Sequence, residues 1–187
     1  MLKRRALDVY SAKPNSRRIK IEGYAFAPLA AEHFASAEFC SARLGLFRRR
    51  LDDGFAAHGL LTPGGALAYY MWLSVGSEQG WAPWALGARI NLPSDAGYIF
   101  DCKTAPDHRN KGLYTSALKH ARWLCHQAQC KRVLIDVEPL NEAAVKAINS
   151  AGFREVGAIK VTRLGPLVRT VQGSDTSFGW KRAPYAF

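Results

Sequence analysis

The sequence predicts an α/β fold, a mixed sheet flanked by helices, from three stretches that follow one another between residues 98 and 153. The first is an apolar-leaning run, Tyr98-Ile-Phe-Asp-Cys102, that leads through a short loop into a helix. The second, Arg132-Val-Leu-Ile-Asp-Val-Glu138, is a β-branched run sized for a buried parallel strand. The third opens at Asn141 as a helix and stops at Gly152-Phe153. The order is strand, loop, helix, strand, helix.

The loop reads Thr104-Ala-Pro-Asp-His-Arg109-Asn-Lys-Gly112-Leu-Tyr114. Beyond it Leu113, Ala117, Leu118, Ala121, Leu124, Cys125 and Ala128 fall at the spacing of one buried helical stripe. A helix that starts after a strand leaves backbone N–H groups unpaired and directed at the loop. With the helix dipole, Arg109 and Lys111 beside them, those groups form a receptor for an anion, most simply a phosphate. Gly112 lets a ligand approach the backbone where a side chain would block it. Two familiar phosphate loops are excluded by spacing. The order Lys111-Gly112-Leu113 lacks the Gly-Lys-Ser/Thr of a P-loop, and a dinucleotide fingerprint needs three glycines where Gly112 stands alone.

The third stretch carries its own start and stop. Asn141 is a good N-cap, and Leu140 before it is placed to staple onto Val145. Ala144, Ile148 and Ala151 make a narrow apolar stripe. Gly152 supplies a left-handed C′ residue, and Phe153 can fold back on Ile148.

In chain order, residues 1–17 read as a basic, aperiodic, loosely ordered arm, and 18–187 as a single domain. Residues 18–22 alternate as a first strand. Helical patterns follow over residues 29–40 and then through Leu44, Phe47, Leu51 and Phe55, stopping at Gly59, with Arg48, Arg49 and Arg50 on a solvated flank. A turn at residues 62–65 precedes an aromatic strand over 66–75; residues 76–84 are an irregular connection, and a short strand covers 85–90. Past Phe153, strands are expected over 154–164 and 167–172, turned at Gly165-Pro166, with a short last one over 178–181.

With 187 residues the chain can bury roughly 70% of its unfolded surface. No apolar run reaches membrane-spanning length, and the basic start lacks the apolar core of a secretory signal, so a cytoplasmic protein without a membrane partner is expected. Cys40, Cys102, Cys125 and Cys130 show neither disulfide nor zinc spacing and are expected as reduced thiols, with no metal. The net charge of +11 attracts polyanions. No nucleic-acid motif accompanies it, so nucleic acid is not the expected partner and steering of an anionic cofactor is.

The segment Arg109-Asn-Lys-Gly112-Leu-Tyr114 resembles the Arg-x-x-Gly-x-Gly/Ala pyrophosphate loop of the GNAT N-acetyltransferase superfamily, with Tyr114 in the place of the last small residue. The helix from Asn141 to Phe153 is similar to the superfamily's Asn-x-x-Ala…Gly-Phe block, and the two occur in the superfamily's order. The resemblance implies a central mixed sheet splayed between its fourth and fifth strands, with helices flanking it. It implies acetyl-CoA as co-substrate and direct acetyl transfer, in a ternary complex, to the primary amine of a small acceptor. An amino sugar or a nucleotide-linked amino sugar is the acceptor this variant suggests. The cofactor would then lie on Cys102, Lys103 and Thr104, on the loop residues Arg109, Asn110, Lys111, Gly112, Leu113 and Tyr114, and on Asn141. A plain N-cap accounts for Asn141 equally well.

Transfer requires a base for the acceptor ammonium and a proton for the leaving thiolate. Asp101 is the first candidate base, with a salt bridge as the competing explanation; Glu138 and Glu78 follow. The superfamily often has a proton-donating Tyr four residues after the Ala of the second block, where this chain has Ile148. Tyr114 is the conceivable substitute. His108 reads as a solvated loop residue. Tyr69, Tyr70, Trp72, Trp81 and Trp84 divide between an acceptor pocket and the core. A homodimer is left open. The other reading of the chain is a non-catalytic module of the same fold that meets nucleic acid or a protein through its basic surface.

Overall fold

The computed structural model describes residues 2–83, 88–164, 166–172 and 181–182. Among these, nine strands form one sheet in the order β11-β10-β9-β1-β8-β7-β4-β3-β2. The strands that position the site are β4 (Leu67–Val75), β7 (Ala96–Thr104), β8 (Arg132–Val137) and β1 (Leu2–Ala12). β7 and β8 run parallel; β7 and β4, and β1 and β8, run antiparallel. β2 (Ala25–Leu29) and β3 (Ala56–Leu61) lie beyond β4, while β9 (Arg154–Leu164), β10 (Leu167–Gln172) and β11 (Lys181–Arg182) lie beyond β1. This is the mixed, helix-flanked sheet that the sequence predicts.

All nine residues of β4 are buried because both faces of the sheet are covered. On one face, Tyr70 and Trp72 meet Phe34 of α1 (Ala31–Ala35) and Phe47 of α2 (Leu44–Asp52). A 3-10 turn, Glu38–Arg43, and the hairpin of β5 (Trp81–Pro83) and β6 (Arg89–Asn91) complete this face. On the other face, Tyr69, Met71 and Leu73 pack with Leu113, Ala117, Leu118 and Ala121 of α3 (Leu113–Gln127) and Ile148 of α4 (Glu142–Ser150). The expected stripes of α3 and α4 face this core, with Leu124, Ala128 and Ala144 only partly buried.

The ending of α4 is as expected. Gly152 has φ +87°, its N–H donates to the Asn149 carbonyl, and the Phe153 N–H donates to the Ile148 carbonyl. The staple is not formed: Leu140 is 94% exposed.

The largest correction concerns the N-terminus. Residues 2–12, expected as a loosely ordered arm, form β1 between β8 and β9, with Leu7, Val9, Tyr10 and Ala12 buried. The alternation that marks a strand is present in the second half only, because Lys3, Arg4 and Arg5 sit where the strand is exposed. The strand expected at 18–22 is absent; a lone Ile21–Tyr24 bridge precedes β2. The helix expected over 29–40 is α1 followed by the 3-10 turn, and α2 ends at Asp52, so Gly59 lies inside β3. A side chain at Gly59 would collide with the Tyr69 carbonyl oxygen at 2.6 Å, so this glycine serves close strand packing rather than a helix stop. Part of the connection expected over 76–84 is β5, Trp84 lies outside the described residues, and the strand expected over 85–90 is described only as β6. Of the last expected strand, residues 178–180 also lie outside them.

Two consequences can be measured. Leu7 is 3% exposed, so Leu7→Ala should cost roughly 2–5 kcal/mol in urea unfolding, whereas a loose arm would register almost nothing. His58 of β3 and His120 of α3 are both held down to about 4, by burial in each case and for His120 also by its neighbours His58 and Arg18. The unfolded chain takes up these protons near pH 6.5, before the folded one does. Stability should therefore be intact above pH 6.5 and fall as pH drops from 6.5 towards 4, by about 2 kcal/mol per histidine, as calorimetric melting across that range will show.

Candidate functional site

The site begins where two strands part. β7 and β8 pair from Ala96↔Arg132 to Ile99↔Ile135 and no further, so the edge of β7 from Phe100 to Thr104 faces a gap. On its other side β7 stays paired with β4, but the register slips between Tyr70↔Lys103 and Trp72↔Phe100, a bulge at Asp101 and Cys102. Asp101 takes φ +50°, a left-handed conformation that a non-glycine residue adopts at a cost. Bulges re-aim side chains, and this one lies just past the point where pairing with β8 stops. The gap widens into a cleft of about 970 Å³ that reaches both faces of the sheet.

At one end of the cleft stands the start of α3. Gly112 is its N-cap at φ +70°, with Asn110 also left-handed at φ +61°. No side chain caps the helix and its first turn holds no acidic residue. A Cβ built on Gly112 would meet no atom within 4 Å beyond its chain neighbours among the described residues, which leaves space before the helix for a ligand. Arg109, Asn110, Gly112, Leu113 and Tyr114 line the cleft here. The helix start that the sequence reading assigns to an anion is thus left without a side-chain cap.

The middle is neutral. Tyr69 is fully buried, with the Cys102 thiol as the polar group beside its hydroxyl. Burial, and then Cys102 and Tyr114 nearby, push its phenol well above the usual value. Tyr114 is raised for the same reasons, burial first and then Cys102 and Asp136. Burial pushes the Cys102 thiol up to about 12, so it is no ready nucleophile.

At the other end Asp101 binds two guanidinium groups. Arg43 donates from Nη1 to Oδ1 and from Nη2 to Oδ2, each at 2.6 Å, and also from Nη1 to the Tyr70 hydroxyl at 3.3 Å. Arg50 donates from Nη1 to Oδ2. Burial alone would raise the Asp101 carboxyl; the Arg43 bonds and the Arg50 charge more than reverse this and hold it below the ordinary value. A carboxylate so engaged is a poor proton acceptor. The salt bridge, not the base, is what the geometry supports for Asp101.

The opposite wall is β8. Asp136 accepts the Tyr98 hydroxyl, and Glu138 pairs with Arg5 of β1. Glu138, one of the further base candidates, thus lies on the cleft, whereas Glu78 is exposed beside Gln79 and outside its lining.

Of the other residues expected to hold a cofactor, Cys102, Thr104 and Asn141 line the cleft. Asn141 also caps α4, accepting from the Ala144 N–H at 3.2 Å. Lys103 lines it too, with its ammonium donating to the Phe39 carbonyl. Lys111 is exposed and stands outside the lining. His108, expected as solvated, is hydrogen-bonded through Nδ1 to the Tyr24 hydroxyl at 2.8 Å. Ile148 is fully buried in the core, away from the cleft. Tyr70, Trp72 and Trp81 belong to the core cluster on the α1–α2 face.

Sequence reasoning missed Arg5, Arg43, Arg50 and Asp136. Arg50 was read with Arg48 and Arg49 as solvated, yet it is 2% exposed and lies over the rings of Trp72 and Phe100, each 5.2 Å away. Its position three residues after Phe47 and one before Leu51 places it on the apolar face of α2, a signal that was available. Asp136 is likewise a carboxylate inside a β-branched strand.

The family model of the GNAT acetyltransferases matches residues 48–153, which include the parted strands, the uncapped helix and the α4 block. The chain belongs to the GNAT acetyltransferase family. The family's general chemistry is acyl transfer, and its fold is the one described above. Solved structures resemble the GNAT chain at low identity. A GNAT-family acetyltransferase from Novosphingobium aromaticivorans aligns with TM-score 0.57 and 15% identity over 86% of this chain and 63% of its own. The aminoglycoside 6′-N-acetyltransferase AAC(6′)-Ih of Acinetobacter baumannii aligns with TM-score 0.53 and 15% identity over 71% of this chain and 92% of its own. A glucosamine N-acetyltransferase region in a fungal multi-domain β-N-acetylglucosaminidase aligns with TM-score 0.61 and 13% identity over 88% of this chain and 21% of that one. Identities this low show a shared fold. The chain spans less than two thirds of the Novosphingobium protein, and no curated protein matches it.

The charge pattern has a direct test. Asp101→Asn leaves the Arg43 and Arg50 guanidinium groups adjacent in a half-buried wall without their carboxylate. Urea unfolding of this variant at pH 7 should show a loss of roughly 3–5 kcal/mol.

Proposed function

We propose that this GNAT protein transfers the acetyl group of acetyl-CoA to the primary amine of a small acceptor, directly and within a ternary complex. The observation that carries the proposal is the uncapped start of α3, opening at Gly112 onto the gap between β7 and β8.

The residues present suit acetyl-CoA. The free N–H groups of the first turn of α3, with Arg109 beside them, offer donors and positive charge to a diphosphate. The unpaired edge of β7 from Cys102 to Thr104 offers backbone groups to an extended amide-bearing arm. When bound there, acetyl-CoA supplies an acyl group already activated as a thioester.

The chain's own side chains then have distinct tasks. The protonated phenol of Tyr114, on the cleft wall and held neutral by burial, can hydrogen-bond a departing thiolate. With Asp101 committed to two arginines, the groups on the cleft suited to take the acceptor's proton, directly or through water, include Asp136, the His108 imidazole, and Glu138, whose single ion pair with Arg5 is solvent-exposed and so holds it less firmly. An amino sugar is the acceptor class favoured here. Two structural relatives, one described as an aminoglycoside and one as a glucosamine N-acetyltransferase, support it.

Isothermal calorimetry with acetyl-CoA tests the reading. Binding is expected in the wild type and a loss of about 100-fold or more in Gly112→Glu, whose carboxylate would repel a diphosphate in space now open. Because Gly112 has φ +70°, the substitution also costs roughly 1–3 kcal/mol of stability, which a parallel melting curve separates from the loss of binding. Unchanged affinity in the variant would remove the loop from the cofactor site.

A further inference from the structure

Beyond β8 the sheet carries a face that the cleft does not use. Leu7 and Val9 of β1, with Ile159 and Val161 of β9, are buried in the core on the α1–α2 side, whereas Tyr10 and Ala12 are buried on the α3–α4 side. Strand alternation then turns Leu2, Arg4 and Ala6 to the α3–α4 side, together with Lys160, Thr162 and Leu164 of β9. Thr162 is half-buried and the other five are exposed, so the helices do not cover this end of the face.

The register sets these residues in rows. Leu2 pairs with Leu164 and Leu164 with Leu167 of β10, so three leucines stand abreast at the rim, 48%, 49% and 43% exposed. They are three of the five large apolar residues exposed among the described residues, which marks a patch rather than scatter. In the next row on the same face Arg4 pairs with Thr162 and Thr162 with Arg169; in the third Ala6 pairs with Lys160. Arg4, Arg169 and Lys160 are exposed and make no ion pair among the described residues. Residues 2–7 and 158–172 include neither Asp nor Glu, and the first carboxylate in these rows is Asp8, opposite Ala158.

The order of the rows decides what fits. A second copy of this face would set like charges against one another. A nucleic acid would take the cations, but it has no use for a leading row of leucines, and the face offers no aromatic ring for a base to stack on. An anionic bilayer takes both. Rows two residues apart lie about 7 Å from each other, so leucines entering the boundary between headgroups and acyl chains leave Arg4 and Arg169 at the depth of the lipid phosphates. No helix among the described residues is long and apolar enough to cross a membrane, and a surface of this kind needs none.

We infer that the rim of Leu2, Leu164 and Leu167, with Arg4, Arg169 and Lys160 behind it, docks the protein on an anionic lipid bilayer. The sequence expectation of no membrane partner considered only spans and signals. The inference is independent of the acetyl transfer proposed above.

Flotation of the full chain with lipid vesicles tests it, at about 0.15 M salt so that weak surface electrostatics are screened. Vesicles of phosphatidylcholine alone are compared with vesicles holding phosphatidylcholine and phosphatidylglycerol at about two to one. Binding is expected on the anionic vesicles and at least about tenfold less on the neutral ones. Arg4→Ala with Arg169→Ala should weaken it by about 10–30-fold, at roughly fivefold per cation. Leu164→Ser with Leu167→Ser should weaken it by about tenfold or more. Arg17→Ala with Lys20→Ala removes two exposed cations elsewhere and should leave binding within about twofold of the wild type. Melting curves report the fold of each variant, and Leu2→Ser repeats the apolar arm should the double leucine variant melt early. No binding to anionic vesicles, equal binding to both kinds, an equal loss in the Arg17 and Lys20 variant, or folded leucine variants that bind as the wild type does overturns the surface. Duplex DNA that strips the protein from vesicles and binds the leucine variants undiminished assigns the face to nucleic acid and overturns it too.

Discussion

The structure depends on one broken pairing. β7 and β8 share hydrogen bonds as far as Ile99 and Ile135 and then separate. A row of unpaired backbone groups would ordinarily be filled by a neighbouring strand or by water. Here the bulge against β4 falls just past the last β7–β8 pair, and Asp101 within it holds a left-handed backbone while both of its oxygens are engaged by arginines. Backbone strain of roughly 1–3 kcal/mol is offset by charge-assisted hydrogen bonds. The same cluster thus sits where the strands part and places two arginines on one wall of the cleft.

β8 can leave β7 because it is held from the other side. β1 pairs with β8 from Asp8↔Val137 to Ala12↔Val133, and with β9 along nearly its whole length. Parting from β7 therefore costs β8 bonds on one edge only. Without β1, the end of β8 that carries Asp136 and Glu138 would be unsupported on both edges, so the N-terminal strand fixes that wall of the cleft. Arg5 makes this coupling direct, since it belongs to β1 and pairs with Glu138.

How much of this the sequence discloses follows from how local each determinant is. The loop at 109–114 and the helix from 141 to 153 are governed by backbone rules that operate within a few residues. A glycine at positive φ, an Asn cap and a Gly-Phe stop are all visible in the chain and all realised. β1 is specified by partners more than 120 residues away, so its basic first half masked the alternation of Leu7, Val9 and the residues between them. The run at 18–22 shows the converse, an alternating pattern with no strand to pair with. Arg50 failed for a different reason. Its burial is set by Asp101, a residue on another element, and a charge triplet on a helix looks the same in sequence whether or not one member turns inward. Asp101 shows the limit most clearly: its place beside the cleft was legible, its chemistry was not, because two arginines brought by the fold decide it.

The distribution of charge along the cleft also bears on how the site would work. The chain has 26 basic and 15 acidic residues, enough to draw polyanions towards it from a distance. Inside the cleft that surplus is not spread evenly. Arg109 and the free N–H groups of α3 lie at one end, Arg43, Arg50 and Lys103 at the other, and between them burial keeps Tyr69, Tyr114 and Cys102 uncharged. A neutral, partly dry stretch between two polar ends leaves the fields from those ends weakly screened where they overlap. Fixed charges in such a setting act on whatever charge develops between them without first reorienting solvent. Acetyl transfer from a thioester to an ammonium gives a neutral amide, a thiol and one released proton, and the charged species formed on the way gain from a neutral stretch placed between fixed charges.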